Sequence, residues 1–211
     1  MSPPLKIALL GTAPGWREAP WGQSDWQIWG LNDGYRLWLD DPHRATRWFE
    51  LHGRIPLTEA RRPEDHWDRL DALKIPVYYL ANRPQAIKRS IQFPLERVRK
   101  IRADYFACTY AYQIGLALLE CVSELTLCGT PLIGPREALV ERPCVEWWLG
   151  LAHGRGVKVT IHHQERMGLG RHPYLYAYED RLERGSTLAA VMRHQRWVVG
   201  WIDGEAMIQL K

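Results

Sequence analysis

Short apolar runs recur along this chain, and each one ends at a turn signal or a polar residue. The runs are rich in Val, Ile, Leu, Trp or Tyr and show no polar alternation, which is typical of strands buried on both faces. The pattern therefore predicts six β-strands, over residues 5–10, 27–31, 46–51, 77–80, 125–128 and 157–161.

Three segments between these runs carry apolar residues at helical spacing, over residues 58–73, 109–121 and 138–154. Trp67, Leu70 and Leu73 form the predicted apolar stripe of the first helix. Strands that alternate with helices predict an α/β fold. We expect a Rossmann-like, mostly parallel sheet with helices on both faces.

The last part of the chain has a different pattern. Residues 179–197 have helical spacing, and Asp203-Gly204 separates two apolar segments within residues 197–210. An Asp-Gly pair in that position is typical of a two-residue β-hairpin turn. We predict a Rossmann-like nucleotide-binding domain over residues 1–180, followed by a C-terminal helix and hairpin over 181–211 that pack on it.

The composition fits one domain with a sizeable core, because the 211 residues are 46% hydrophobic. No run of 18 apolar residues suggests a membrane span, and the start does not resemble a secretory signal. The four cysteines form no CxxC pair, so we expect a reduced, cytoplasmic protein. The net charge is +4, and 22 of the 28 basic residues are Arg, whose planar group can grip phosphate.

Two loops follow the first two predicted strands. The first is Gly11-Thr12-Ala13-Pro14-Gly15, and the second begins with Asn32-Asp33. Small residues let backbone N–H groups approach phosphate, and Asn can read a base or ribose edge. The alternatives are an ordinary turn for the first loop and a helix cap for the second. Carboxyl ends of parallel strands share one edge of a sheet, so both loops should face one crevice.

Further polar residues should face the same crevice. Glu50 and His52 alternate onto one side of the third strand, and His52 or Asp33 is the candidate general base. Cys108-Thr109 begins a helix whose N-terminus can bind an anion or be a plain cap. Gly129-Thr130-Pro131 ends the fifth run, and Glu141, Arg142 and Glu146 come after it.

A basic stretch lies between residues 83 and 102, with Arg83, Lys88 and Arg89 at its start. It can hold a ligand phosphate or a nucleic-acid backbone, or it can be a solvated surface. The chain contains neither Asp-x-Asp nor HExxH nor a spaced Cys/His quartet. We therefore expect no metal and no cofactor other than a nucleotide or nucleotide-sugar as substrate.

The segments Leu10-Gly-Thr-Ala-Pro-Gly15 and Gly30-Leu-Asn32-Asp33 resemble the opening of bacterial sialyltransferases and of the motility-accessory glycosyltransferase family. The chain also resembles small phage-encoded Rossmann-like proteins, in which blocks such as Trp48-Phe-Glu-Leu-His52 recur. The resemblance implies nucleotide contact by Gly11, Thr12, Ala13, Pro14 and Asn32, and location in a host cytoplasm. Gly129-Thr130-Pro131 stands where that family usually has an acid.

Three functions remain open at this point. The first is a metal-independent glycosyltransferase-type enzyme acting on a glycan or on a modified base of phage DNA. The second is a nucleotide-binding or sequestering protein without catalysis, and the third is an interaction protein that forms a homo-oligomer through the C-terminal hairpin. A salt-dependent affinity for DNA would favour a DNA acceptor.

Overall fold

One parallel sheet organises the chain in the computed structural model, which describes residues 3–37, 44–52, 63–80, 87–101, 104–162, 168–171, 197–202 and 205–210. Within these residues the sheet has seven strands in the order β5-β4-β3-β2-β1-β6-β7, and every neighbouring pair is parallel. The strands are β1 (Lys6–Leu10), β2 (Trp26–Leu31), β3 (Arg47–Phe49), β4 (Val77–Tyr79), β5 (Ser90–Gln92), β6 (Glu124–Cys128) and β7 (Lys158–His162).

The strand order reverses between β1 and β6. The chain runs outward from β1 to β5 and then returns to β6 on the other side of β1. In open α/β sheets a ligand crevice forms outside the carboxyl ends of the strands at such a switch point. The topology therefore predicts a ligand crevice at the loops that follow β1 and β6.

Helices cover both faces of the sheet, as predicted. They are α1 (His66–Ala72), α2 (Leu95–Arg99), α3 (Thr109–Leu119) and α4 (Arg142–Gly154), with 3₁₀ turns at Pro14–Glu18 and Gly34–Arg36 and a π-helical turn at Glu137–Glu141. Alternation along β1 sends Ile7 and Leu9 into a core with α3 and α4. Ala8 and Leu10 enter a second core with α1 and the 3₁₀ turns.

All six predicted strands are present, with ends shifted by up to two residues. The pattern missed β5 and α2, which lie inside the basic stretch. β5 is an edge strand of three residues, none of them buried, so it carries no apolar run that could predict it.

Two predicted helices need correction. α1 begins at His66 and not at residue 58, although residues 58–62 lie outside the described part. Of the predicted stripe, Leu70 and Leu73 are buried and Trp67 is exposed, and His66 is the buried residue that the pattern missed. The predicted helix over 138–154 is divided into the π-helical turn and α4. Pro143 has no backbone N–H to donate within the helix, which fits an irregular turn directly before α4.

The predicted hairpin is present as β8 (Trp197–Ile202) and β9 (Glu205–Leu210), which pair antiparallel across a two-residue connection. The connection itself and the predicted helix before β8 lie outside the described residues. Packing of this extension on the first domain, and self-association through it, stay predictions. No helix in the described part of the chain has the length and apolarity to cross a bilayer.

Candidate functional site

A cavity of about 480 Å³ opens at the carboxyl ends of β1, β2, β3 and β6. Ten of the residues predicted to face the crevice line it, namely Thr12, Ala13, Asn32, His52, Cys108, Thr109, Gly129, Thr130, Pro131 and Glu141. The sheet topology thus brings six separate pieces of chain to one hollow, since α3 and the π-helical turn also contribute.

The glycines of the first loop serve packing between loops rather than the cavity. A Cβ on Gly11 would lie 2.0 Å from the Gly129 carbonyl oxygen, and one on Gly15 would lie 2.5 Å from the His162 carbonyl oxygen. The Gly11 and Ala13 N–H groups donate to the carbonyls of Cys128 and Gly129 at 2.7 and 3.1 Å. The backbone N–H groups of Gly11 and Ala13 are therefore not available to a phosphate. This corrects the expectation that the loop binds phosphate through these two groups.

Asn32 ends β2 in a left-handed backbone conformation, with φ of 51°. Its N–H donates to the Phe49 carbonyl at 3.0 Å, and its own carbonyl accepts from the Trp48 indole N–H at 2.9 Å. Asn tolerates this conformation better than most residues do. The backbone is thus held by β3, while the amide side chain belongs to the cavity lining.

Two side-chain oxygens at this edge are buried without a hydrogen-bond partner among the described residues: Asn32 Oδ1 and Thr130 Oγ1. Thr130 is only 1% exposed. A buried polar atom without a partner costs free energy, so native proteins keep few of them. Both residues line the cavity, where a ligand can supply the missing partner.

His52 belongs to a chain of hydrogen bonds that runs inward from the cavity. Its Nδ1 is 2.7 Å from Glu50 Oε1, and His66 Nε2 is 3.0 Å from Glu50 Oε2. Tyr35 Oη in turn lies 2.8 Å from His66 Nδ1. Glu50 and His66 are 3% and 1% exposed, whereas the His52 side chain is 41% exposed. Each of the two imidazole rings is hydrogen-bonded to a different carboxylate oxygen of Glu50.

The N-terminus of α3 opens on the cavity through Cys108, Thr109 and Tyr110. Free N–H groups at a helix start favour an anion. Burial raises the pKa of the Cys108 thiol to about 12, despite backbone N–H groups of Ala111 and Tyr110 that act in the opposite direction. Cys108 is therefore a thiol at neutral pH and supplies no thiolate nucleophile.

The π-helical turn brings Arg136, Glu137 and Glu141 to the opposite wall. Burial, and then the neighbouring Glu137 carboxylate, raise the pKa of Glu141, while Arg136 and His52 partly offset this. Glu137 Oε2 accepts the Gly134 N–H at 2.8 Å. Two carboxylates and one guanidinium give this wall an acidic balance. Across the described residues, no group of three His, Cys, Asp or Glu side chains is placed to hold a metal ion.

Other predicted site residues lie away from the cavity. Gly11, Pro14, Gly15 and Asp33 do not line it, and Asp33 is paired with Arg36 at 3.3 Å. Asp33 is thus the weaker of the two candidate bases. Arg142 and Glu146, which were also predicted to face the crevice, do not line the cavity. Pro131, which follows Thr130, does line it.

The start of the basic stretch is at the other end of the sheet. Lys88 and Arg89 precede β5, where the Lys88 N–H donates to Asp71 and the Arg89 guanidinium to the Lys74 carbonyl. They lie at the amino edge and do not line the cavity, whereas α2 later in the stretch follows the carboxyl end of β5. Arg83 lies outside the described residues. A nucleic-acid contact by this stretch stays a prediction.

Sequence reasoning missed Tyr35, His66, Tyr110, Arg136 and Glu137. His66 had a usable signal, because His66, Leu70 and Leu73 are spaced i, i+4 and i+7 like one buried helix face. Arg136 and Glu137 had none, since the π-helical turn breaks the helical period.

No protein-family model matches the chain, and no curated protein is similar to it in sequence. Among solved structures it is similar to the sialyltransferase CstII from Campylobacter jejuni in complex with cytidine-5'-monophosphate, with a TM-score of 0.46 and 10% identity over 75% of this chain and 79% of that one. A second structure of CstII, in complex with CMP-3FNeuAc, gives a TM-score of 0.48 and 11% identity over 74% and 79%.

A likeness at this level assigns no role to any residue of this chain. The fold class rests on the strand order described above: an α/β, Rossmann-like parallel sheet. The motility-accessory family and a phage origin stay predictions.

Proposed function

We propose that this chain binds a nucleotide or nucleotide-sugar in the cavity at the carboxyl edge of its sheet. One observation carries the proposal: the partnerless oxygens of Asn32 and Thr130 are buried beside a hollow at the switch point of the strand order. Each is an acceptor position that an amino group of a base or a ribose hydroxyl would satisfy. An apolar ligand would leave both oxygens unsatisfied.

The charges around the cavity favour a ligand with few phosphates. Arg136 and the N-terminus of α3 attract an anion, but Glu137 and Glu141 repel one. Carboxylates in such a site suit the hydroxyl groups of a sugar. A sugar joined to a nucleotide combines both features, with its phosphate toward α3 and its hydroxyls toward the π-helical turn.

The chemistry proposed for this ligand is metal-independent glycosyl transfer. An acceptor hydroxyl attacks the anomeric carbon, and a new C–O bond forms as the bond from that carbon to the phosphate oxygen breaks. The nucleotide leaves with the electron pair of the broken bond. His52 takes the proton of the acceptor hydroxyl, and the N-terminus of α3 stabilises the charge on the departing phosphate.

The second candidate is a nucleotide-binding protein without turnover. Thr130-Pro131 stands where the resembling families usually have an acid, and Pro131 lines the cavity. An interaction protein is the third candidate, although Trp29, Trp48 and Trp148 are fully buried and thus unavailable as a docking surface.

A thermal-shift panel of nucleotides and nucleotide-sugars tests binding, because a ligand of the folded state raises the melting temperature by mass action. We expect Asn32→Gly to abolish the rise, since it removes the amide and keeps a residue that accepts a positive φ. Thr126→Val is the matched control, because Thr126 is buried on β6 but does not line the cavity. A rise that is equal in wild type and Asn32→Gly overturns the assigned site.

Turnover separates the first two candidates. Release of nucleotide from a nucleotide-sugar, followed by chromatography, should be seen with wild type and lost in His52→Gln, while the thermal shift is kept in both. A thermal shift without release in wild type favours the binding protein. Absence of any shift, together with self-association in solution, favours the interaction protein.

A further inference from the structure

The buried hydrogen-bond chain behind His52 has a direction that can be worked out from the Glu50 carboxylate at its centre. Tyr35, at the inner end, is 5% exposed, and burial, with Asp33 nearby, raises the pKa of its phenol to about 12. The phenol therefore keeps its proton at neutral pH, and at 2.8 Å it can either donate to His66 Nδ1 or accept from it. The carboxylate decides which of the two occurs.

A carboxylate only accepts, so Glu50 Oε2 receives the Nε2–H of His66 at 3.0 Å, and Glu50 Oε1 receives the Nδ1–H of His52 at 2.7 Å. A neutral His66 that carries its proton on Nε2 has its lone pair on Nδ1, so Tyr35 donates to that nitrogen. The lone pair of a neutral His52 is likewise placed on Nε2.

We propose that Glu50, oriented by His66, is a positioning residue that holds His52 in the tautomer with the proton on Nδ1, so that Nε2 of this cavity-lining ring is a proton acceptor. A buried carboxylate that orients a histidine through Nδ1 is a general way to prepare the other ring nitrogen for proton transfer. Here the carboxylate is itself oriented by a second histidine. This proposal rests on the proposed function in one respect, which is that the proton accepted by His52 comes from the acceptor hydroxyl of the glycosyl transfer.

Two features of the fold support this role over a merely structural one. Glu50 and His52 are two residues apart at the end of β3, so both side chains lie on one side of the chain. His66 is the first residue of α1, on the buried face of that helix. The network therefore ties the loop after β3 to α1, but it ends on a ring at the cavity and not within the core.

The tautomers can be read directly by long-range ¹H–¹⁵N NMR of the full chain without ligand, at a pH where the rings are neutral. We expect His52 to carry its proton on Nδ1 and His66 to carry it on Nε2. The spectra of His52→Gln and His66→Gln assign the two rings, and the exposed His153 on α4 is the internal reference. A His52 protonated on Nε2, or a His66 protonated on Nδ1, overturns the proposal.

Two variants locate the source of the effect. Glu50→Met removes both acceptor oxygens, and we expect the His52 signals to lose the Nδ1–H pattern. Tyr35→Phe removes one buried hydrogen bond at the far end and should leave His52 unchanged, because Glu50 still accepts from it. An unchanged His52 pattern in a folded Glu50→Met overturns the role of Glu50; if that variant does not fold, the wild-type tautomers alone decide.

The experiment needs neither ligand nor turnover, so its outcome is independent of the proposed function. If nucleotide-sugar turnover fails while the tautomers are as expected, the network stands and the transferase proposal falls. If turnover is found in a protein with the opposite His52 tautomer, the transferase stands and this proposal falls.

Discussion

The two edges of the sheet differ in how completely their polar groups are paired. At the amino edge, charged groups are paired: Lys6 with Asp25 and Lys158 with Glu124, each at 2.7 Å, and Arg47 with Glu120 at 2.6 Å. At the carboxyl edge, Glu141 is 3.8 Å from Arg136, but Asn32 and Thr130 have buried oxygens without a partner among the described residues.

This difference separates a structural edge from the candidate ligand-binding edge. Stability alone would favour partners for every buried polar atom. The carboxyl edge departs from that rule at the switch point, where the fold already provides a hollow. Unsatisfied atoms and like charges, more than the number of basic residues, therefore mark the candidate site.

The largest expected effect is a loss of stability when the contact between the loops after β1 and β6 is disturbed. Gly129 has φ of +77°, and a Cβ there would lie 2.3 Å from the Ala13 carbonyl oxygen. We expect Gly129→Ala to lower the free energy of unfolding by about 3 kcal/mol. Gly154→Ala is the control, because a Cβ there meets nothing within 4 Å. Equal denaturation midpoints for the two variants would show that the loops are not in close contact.

Thr130→Val should separate stability from binding. Its hydroxyl is buried without a partner among the described residues, so we expect the free protein to gain about 1 kcal/mol. The same change removes a ligand contact and should diminish the nucleotide-induced thermal shift. Urea unfolding with and without nucleotide measures both quantities. A variant that is less stable and binds as well as wild type contradicts the comparison of the two edges.

The acid dependence of stability should have opposite signs at the two edges. Burial raises the folded-state pKa of Glu141, so the stability it contributes is complete below the unfolded pKa and is lost as pH rises through the folded one. The hydrogen bond from Lys6 lowers the pKa of Asp25, whose contribution is present above the unfolded pKa and is lost as pH falls through the folded one.

At neutral pH we therefore expect Glu141→Gln to raise the free energy of unfolding by less than about 1 kcal/mol and Asp25→Asn to lower it. Both differences should vanish in acid, where the wild-type carboxyls are protonated. Urea unfolding from pH 3 to pH 7 measures this. If the two substitutions change the free energy of unfolding in the same direction, the edges do not differ electrostatically in the expected way.

The smallest effect is expected for Lys88→Ala combined with Arg89→Ala. Both residues lie at the amino edge, so the nucleotide-induced thermal shift should stay the same. Binding of duplex DNA at several salt concentrations tests the remaining role. If the stretch contacts DNA, the plot of the log of the binding constant against the log of the salt concentration should be shallower, its slope smaller in magnitude by about 2 than for Lys158→Ala. Lys158→Ala is the control because it removes one cation outside the stretch. An altered nucleotide shift would place these residues nearer the cavity than the structure does.

Several parts of the site followed from the sequence because they depend on local order along the strands. Apolar runs gave the strands, and parallel strands place the residues after their carboxyl ends at one edge. Thr12, Asn32, His52 and Thr130 were found in this way. His66 could have been found from the spacing of α1, but the predicted stripe contained Trp67 in its place.

The remainder depends on contacts between distant segments, which no local pattern encodes. The glycines near Gly11 appeared suited to phosphate, but the structure uses them for contact with Gly129. The link from His52 through Glu50 to His66 requires β3 and α1 to pack together. The sequence by itself determined the class of fold and the edge at which the cavity lies, because both follow from hydrophobic order along the chain. Only the tertiary structure decided which polar atoms find partners, because pairing depends on distances across the fold.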